Sequence, residues 1–118
     1  MPTLLIADDS LFQRMMLGKL AKAEGFTTVE AKNGQECLDL VAADCPDALV
    51  LDLNMPEVDG IGVMIRLREM GVNIPVLVLT ADIQTSTLQR CMALGACAVV
   101  NKPLDEEVFR GKLKALLL

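Results

Sequence analysis

Residues 3–10 read TLLIADDS, a short aliphatic run that ends at two adjacent aspartates, Asp8 and Asp9. Short apolar runs bounded by polar residues are typical of strands buried on both faces of a parallel sheet. Two neighbouring carboxylates repel each other, so they need a positive partner if both are to stay ionised. The segment therefore predicts a buried strand whose carboxyl end faces a cation.

Four further runs of similar character follow along the chain. One of them, FTTVEA, carries polar threonines and comes early, which indicates a strand at the edge of the sheet. The five predicted strands cover residues 3–7, 26–31, 47–51, 74–79 and 97–100.

Between these runs, apolar residues recur at helical spacing, and we interpret each stripe as buried core rather than as a binding groove. Ser10 is placed to cap the first helix, and Gly25, Gly71 and Gly95 follow helices. The stripes are Phe12, Met15, Met16, Leu20 and Ala23; Cys37, Leu38 and Val41; Ile61, Met64 and Ile65; Leu88, Cys91 and Met92; and Phe109, Leu113, Leu116 and Leu117.

Five strands alternating with five helices imply one parallel sheet with helices on both faces. We predict an α/β fold, a (βα)5 flavodoxin-like doubly wound sheet with strand order 2-1-3-4-5, as a single domain over residues 1–118. In that order the first and third strands are neighbours. Their carboxyl ends meet at the switch point where open α/β sheets bind ligands.

The composition excludes several classes of function. The chain has no His, which removes imidazole metal sites and triads that depend on histidine. Its net charge of −5 argues against binding nucleic acid or an anionic membrane. We find no signal peptide and no apolar stretch long enough to span a membrane, and expect a cytoplasmic protein whose four cysteines are mostly reduced packing groups.

A third aspartate, Asp52, follows the third predicted strand, so the fold brings it into one crevice with Asp8 and Asp9. Oxygen ligands without His or thiolate suit a hard ion. A few carboxylates, with waters completing an octahedron, suit Mg²⁺ better than Ca²⁺. The sequence thus predicts a Mg²⁺ cofactor at this edge of the sheet.

The remaining strand ends carry a hydroxyl and an ammonium, Thr80 and Lys102. Together with carboxylates and a cation they form the kind of site that phosphoryl transfer needs, with Asp52 as the nucleophile. Taken singly, Asp9 or Ser10 could be a helix cap, Thr80 a residue that simply favours strands, and Lys102 a solvated loop lysine. Their joint placement on one edge of the sheet favours a common site.

The motifs LIADDS, LVLDLNMPEVDG, LVLTAD and VNKPL occur in the order and spacing of a known family. Through them essentially the whole chain resembles a response-regulator receiver domain, most closely a stand-alone chemotaxis regulator of the CheY type. Such proteins are signalling switches that catalyse only their own phosphorylation and dephosphorylation. They take a phosphoryl group from a sensor histidine kinase, here one of CheA-like type, from a phosphotransfer protein, or from acetyl phosphate.

The resemblance implies that Asp52 is the phosphoacceptor. It also implies Mg²⁺ ligands: Asp9 directly, Asp8 through water, Asp52, and the backbone carbonyl of Asn54. Lys102 would hold the phosphoryl oxygens.

Other positions would modulate the site. Thr80, beside the small Ala81, would move to bond the phosphoryl group. Asn54 and Asp82 would tune how fast water reaches it, and we expect fairly fast autodephosphorylation. The Lys102–Pro103 bond should be cis. Pro56 and Gly60 fit the loop that follows the phosphorylation site in the family.

One position departs from the family pattern. Where the family has an aromatic ring that swings inward when the threonine moves, this chain has Val99. The face formed by the fourth helix, fifth strand and fifth helix, the usual docking surface for a downstream protein, therefore lacks its usual switch. A phosphate sink, a phosphorelay carrier or output through another face becomes more plausible. We expect a monomer that neither binds nucleic acid nor inserts into membranes.

Two other classes of function compete with this one. A receiver-like binding module without phosphorylation would not need the three carboxylates, Thr80 and Lys102. A phosphatase of the haloacid dehalogenase type also uses an aspartate nucleophile, but its DxDxT motif is absent because Asn54 stands where the second aspartate belongs.

Overall fold

The computed structural model describes residues 1–55, 57–82 and 84–116. Pro56 and Leu117, both named above, lie outside the described residues. The strands are β1 (Thr3–Ala7), β2 (Thr27–Ala31), β3 (Ala48–Asp52), β4 (Val76–Thr80) and β5 (Ala98–Asn101). The helices are α1 (Leu11–Ala23), α2 (Gly34–Ala43), α3 (Gly60–Glu69), α4 (Thr85–Ala93) and α5 (Glu106–Ala115).

The five strands form one parallel sheet in the order β2-β1-β3-β4-β5, which confirms the predicted flavodoxin-like fold. β2 lies at an edge, as its threonines indicated. β3, β4 and β5 each begin one or two residues later and end one residue later than predicted, so Asp52 and Thr80 are the last residues of their strands.

Two apolar clusters cover the two faces of the sheet. On one face α1 and α5 pack through Leu17, Ala21, Phe109 and Leu113. On the other face lie α2 and α3, together with Cys91, the buried residue of α4. Strand residues alternate between the two clusters, as the period of two requires.

Some helices begin or end at the capping residue and glycines that the sequence predicts. The hydroxyl of Ser10 accepts a hydrogen bond from the Gln13 amide and caps α1. Gly25, Gly71 and Gly95 follow helices with φ of 93°, 74° and 103°, where the absence of Cβ removes the steric cost.

The buried-stripe prediction is wrong for much of α1. Phe12 and Met15 are 78% and 63% exposed, and Ala23 is exposed as well. At about 100° per residue, Phe12 and Met15 lie roughly 140° and 160° around the helix from buried Leu17. Apolar side chains surround this part of α1, and only one side of the helix can face the sheet.

Smaller errors occur in the other helices. Ile65 and Met92 were predicted as core but are exposed, whereas Cys91, Phe109, Leu113 and Leu116 are buried as predicted. The described residues contain no helix that is both long and apolar enough to cross a membrane.

The four free cysteines differ in their exposure to solvent. Cys37 and Cys91 are buried, while Cys45 and Cys97 are exposed, so the packing role holds for only half of them. Burial raises the pKa of the Cys37 thiol to about 12, which keeps it protonated and unreactive at neutral pH.

Candidate functional site

The carboxyl ends of β1 and β3 carry an acidic cluster. Asp8 and Asp9 follow β1, and Asp52 ends β3. The two strands pair with Ala7 opposite Leu51, which sets the aspartates side by side. One carboxylate oxygen from each aspartate lies within 4.8 Å of the other two. The structure thus brings together the three residues that the sequence placed in one crevice.

Asp8 is buried, with 1% of its surface exposed. Its Oδ1 accepts a hydrogen bond from the Ser10 amide at 2.9 Å, but Oδ2 is buried and has no hydrogen-bond partner among the described residues. Burial raises the pKa of Asp8, and the nearby charges of Asp52 and Asp9 raise it further. The Ser10 amide and the charge of Lys102 lower the pKa of Asp8, but the net shift is upward, so a further cation would stabilise the ionised form.

Asp52 is 2% exposed, and both of its oxygens have partners. Oδ2 lies 3.1 Å from Nζ of Lys102, and Oδ1 accepts a hydrogen bond from the Asn54 amide at 3.1 Å. The Lys102 amide also donates to the carbonyl of Thr80 at 2.8 Å, so the β5 end is tied to the β4 end. The lysine is thereby held over the carboxylate from across the sheet.

Thr80 is buried, and its hydroxyl accepts a hydrogen bond from the Asp82 amide at 3.0 Å. The Asp82 carboxylate in turn accepts hydrogen bonds from the Thr87 hydroxyl at 2.7 Å and the Gln84 amide at 2.9 Å. The Thr87 bond, followed by the Gln84 bond, lowers the pKa of Asp82. A chain of hydrogen bonds therefore runs from Thr80 to the first turn of α4.

The remaining predicted positions surround these groups. Asn54 and Ala81 are exposed near the site. Val99 is half-buried and packs against the cluster on the α2–α3 face. The Lys102–Pro103 peptide bond is cis, as predicted.

Gly60 supports the strand end that carries Asp52. A Cβ atom at Gly60 would lie 2.7 Å from the carbonyl oxygen of Asp52 and 2.7 Å from Cα of Leu53. Gly34, at the start of α2, is a second close approach, because a Cβ there would overlap the carbonyl oxygen of Val58. Sequence alone marked Gly60 through the family pattern and gave no signal for Gly34, whose neighbour is distant along the chain.

Arg14 is a further residue at the site that sequence patterns did not single out. Its Nη1 donates to the carbonyl oxygen of Asp8 at 2.7 Å, and its Nε donates to Glu30 on β2 at 3.0 Å. Its side chain is only 12% exposed. An arginine on a helix is usually solvated, and nothing local in the sequence indicates these two partners.

The acidic cluster fits a hard divalent cation. All three side chains offer oxygen ligands, and one of them, Asp8, has a buried Oδ2 without a hydrogen-bond partner among the described residues. Carboxylate oxygens with room for waters are the donor set that Mg²⁺ prefers. Asp8, Asp9 and Asp52 are the residues that would hold it.

Three large apolar side chains are exposed on the first turns of α1, directly after the acidic loop. Leu11, Phe12 and Met15 are 61%, 78% and 63% exposed, and we call them the first-helix patch. Apolar groups clustered on a surface commonly mark interaction sites.

Comparisons with known proteins agree with this geometry. A family model described as the response regulator receiver domain matches residues 4–114. Sporulation initiation phosphotransferase F of Bacillus subtilis (strain 168) is 34% identical over 114 residues, which cover 97% of this chain and 92% of that protein. Response regulator MprA of Mycolicibacterium vanbaalenii is 38% identical over 114 residues, 97% of this chain but only 49% of MprA. Chemotaxis protein CheY4 of Vibrio cholerae has a similar solved structure, with a TM-score of 0.90, 26% identity and 98% coverage of both chains.

Proposed function

The chain belongs to the response-regulator receiver family of two-component signalling, and from that premise we propose that it is a Mg²⁺-dependent phosphoacceptor whose Asp52 takes the phosphoryl group. The observation that carries this proposal is the buried Asp52 carboxylate, 3.1 Å from Lys102 and within one cluster with Asp8 and Asp9. The Lys102 ammonium offsets part of the negative charge of the aspartates, so the buried Asp52 carboxylate can react with a phosphoryl donor, which is itself an anion.

In the proposed reaction an oxygen of Asp52 attacks the phosphorus atom. The new O–P bond forms an acyl phosphate, while the P–N bond of a phosphohistidine, or the P–O bond of acetyl phosphate, breaks and its electron pair leaves with the donor. Lys102 stabilises charge on the phosphoryl oxygens from its position beside Asp52. A bound Mg²⁺ ion would neutralise phosphoryl charge and offset the repulsion of the aspartates.

Thr80 is proposed to report phosphorylation to α4. When its hydroxyl turns to the phosphoryl group, it gives up the hydrogen bond from the Asp82 amide. Because Asp82 also holds Thr87, the start of α4 responds. This route does not need a ring at Val99.

The first-helix patch is proposed to bind the protein that donates the phosphoryl group. It follows the acidic loop by two residues and exposes Phe12 and Met15. A donor that packs its apolar surface there would bring a phosphohistidine towards Asp52, whereas acetyl phosphate would need no such contact.

Two outputs are compatible with this chemistry. A chemotaxis-type switch, downstream of a CheA-like kinase and acting through the face of α4, β5 and α5, is supported by the similarity to CheY4. A phosphorelay carrier or phosphate sink is supported by Val99 and by the relative named as a sporulation phosphotransferase. We favour the relay role, because the sporulation phosphotransferase is 34% identical to this chain whereas CheY4 is 26% identical. Its proposed location is the cytoplasm, where its four free thiols would stay reduced.

Incubation with Mg²⁺ and acetyl phosphate, followed by intact mass spectrometry, tests the central proposal. Wild type should gain one phosphoryl group that is lost on standing, and Asp52→Asn should gain none. Asp44→Asn, an exposed aspartate at the end of α2, is the matched control and should behave as wild type.

The competing functions predict different results. A binding module that is never phosphorylated would show no adduct with any donor, and this result would refute the proposed function. Sustained hydrolysis of phosphomonoesters without a stable adduct would favour a phosphatase instead.

A further inference from the structure

The Arg14 guanidinium joins the loop that follows β1 to the edge strand β2. No other side chain among the described residues connects these two segments by hydrogen bonds. Nη1 donates to the carbonyl oxygen of Asp8 at 2.7 Å, and Nε donates to Oε1 of Glu30 at 3.0 Å. Glu30 lies on the edge strand β2, opposite Ile6 of β1. The side chain of Arg14 is 12% exposed and its bond to the Asp8 carbonyl is partly buried, whereas the Glu30 side chain is 46% exposed and that bond is open to water.

These contacts fix the peptide that joins the first two aspartates. The Asp8 amide donates to the carbonyl of Ala31 at 3.0 Å, and the Asp8 carbonyl accepts from Arg14. The two backbone polar groups of Asp8 are thus anchored to β2: the N–H directly, and the C=O through Arg14 and Glu30. The plane of the Asp8–Asp9 peptide cannot rotate without breaking the Arg14 bond.

The orientation of the Asp9 side chain depends on that peptide more than the orientations of the Asp8 and Asp52 side chains depend on their own backbone. Its side chain is exposed, and no hydrogen bond to it is found among the described residues. Asp8 and Asp52, in contrast, are each held by a backbone amide. The backbone therefore sets the direction of the Cα–Cβ bond of Asp9, and with it the region that the carboxylate can reach.

We infer that Arg14 is a positioning residue for cation binding, which holds the Asp8–Asp9 peptide so that Asp9 points into the acidic cluster. This inference rests on the proposed function, since the cation is the one that the phosphoacceptor site would bind. Arg14 acts through the Asp8 carbonyl and does not touch the ion. Outer groups that orient metal ligands commonly change metal affinity by about 10- to 100-fold.

The direction of the change in Mg²⁺ affinity distinguishes a positioning role of Arg14 from a simple effect of its charge. Arg14 is a cation near a cluster of anions, so removing its charge alone would strengthen binding of Mg²⁺. Loss of positioning would weaken it. Arg14→Ala is therefore expected to raise the Kd for Mg²⁺ about tenfold in spite of the favourable change in charge.

The experiment measures the Kd for Mg²⁺ of the unphosphorylated protein by calorimetry, together with the ¹⁵N amide shift of Asp9 without Mg²⁺. Arg14→Lys keeps the charge but replaces the planar fork, whose Nε and Nη1 bond separate acceptors, by a single ammonium nitrogen, and should weaken binding and move the Asp9 amide signal. Glu30→Gln keeps an oxygen acceptor for Nε and should stay close to wild type. Arg110→Ala is the matched control, because Arg110 also pairs through Nε with a glutamate, Glu24, at 2.7 Å between α1 and α5.

The outcomes are separable. Unchanged or tighter Mg²⁺ binding in both Arg14 variants, with wild type binding normally, overturns the positioning role and leaves the phosphoacceptor standing. Absence of Mg²⁺ binding in wild type overturns both. If Arg14→Ala does not fold, as judged by circular dichroism, Arg14→Lys decides the question by itself. Equal weakening in Arg110→Ala would mean that general destabilisation, rather than positioning, is responsible, and would also overturn the role.

Discussion

Asp8 is a buried acid whose environment opposes its own ionisation. Burial and the neighbouring carboxylates raise its pKa, and its Oδ2 has no hydrogen-bond partner among the described residues. An unsatisfied buried polar atom costs about 1–3 kcal/mol. In the absence of a cation, this residue therefore weakens the fold that holds it.

Asp8→Asn should stabilise the protein in the absence of divalent cations, by roughly 1–2 kcal/mol at neutral pH, because it removes a buried charge while keeping a similar shape. Urea unfolding followed by circular dichroism measures this, since the chain lacks Trp and Tyr. Asp44→Asn, which changes an exposed aspartate, is the control and should be nearly neutral.

The same substitution gives a pH dependence with a defined sign. The pKa of Asp8 in the folded protein lies above its ordinary value of 3.8, so the folded state binds the proton more tightly than the unfolded state. Its contribution to the free energy of unfolding therefore falls as pH rises from about 3.8 through the folded pKa. The advantage of Asp8→Asn should be small near pH 3 and complete at pH 7. An advantage that is constant over this range would contradict the assignment.

Two glycines in helices show how one residue type can serve opposite energetic roles. Gly60, the first residue of α3, leaves no room for a Cβ beside the backbone of Asp52 and Leu53. Gly111, inside α5, leaves open space for a Cβ: apart from the backbone of its own helix, no atom of the described residues lies within 4 Å of that position. The first glycine permits close packing, whereas the second only lowers helix propensity.

Gly60→Ala should destabilise the protein by roughly 1–3 kcal/mol, since backbone must move to make room. Gly111→Ala should stabilise it by about 0.5–1 kcal/mol, because alanine is the better helix former. Urea midpoints of the two variants measure the difference in sign. Two shifts in the same direction would show that the space around one of the glycines has been misjudged.

Across the whole molecule, the large exposed apolar side chains are unevenly distributed. Three of them form the first-helix patch beside the acidic loop. The molecule as a whole carries a net charge of −5. Apolar contact is therefore the more plausible basis for docking an acidic or neutral donor, since charge attraction would require a basic one.

Met15→Ser should slow phosphoryl transfer from a phosphohistidine protein about tenfold, because burial of an anchor residue contributes about 1–2 kcal/mol to the free energy of binding. The donor is the phosphotransfer protein that proves fastest in a panel screened with wild type. Phosphorylation by acetyl phosphate should be unchanged.

Met92→Ser provides the matched control, since Met92 on α4 is 51% exposed and Met15 is 63% exposed. It should transfer at the wild-type rate. Equal loss in both variants, or a loss with acetyl phosphate as well, would rule out a docking role specific to the first-helix patch.

Much of the fold and the acidic cluster could be read from local pattern. Runs of aliphatic residues and the stripes between them are properties of short segments, and strand and helix periods turn them directly into elements. The order 2-1-3-4-5 then places the ends of β1, β3, β4 and β5 on one edge, which is why the sequence predicts a common site for Asp8, Asp52, Thr80 and Lys102.

Other features depend on which neighbours the folded chain supplies. An apolar stripe does not reveal which side of a helix meets the sheet, and so the stripe predicts Phe12 in the core although it is 78% exposed. Arg14 acquires its role from Glu30, sixteen residues away on β2. Gly34 acquires its role from the backbone of Val58. Periodicity encodes the elements because it acts between near neighbours, whereas exposure, close approach and bridging hydrogen bonds arise only when distant segments pack together.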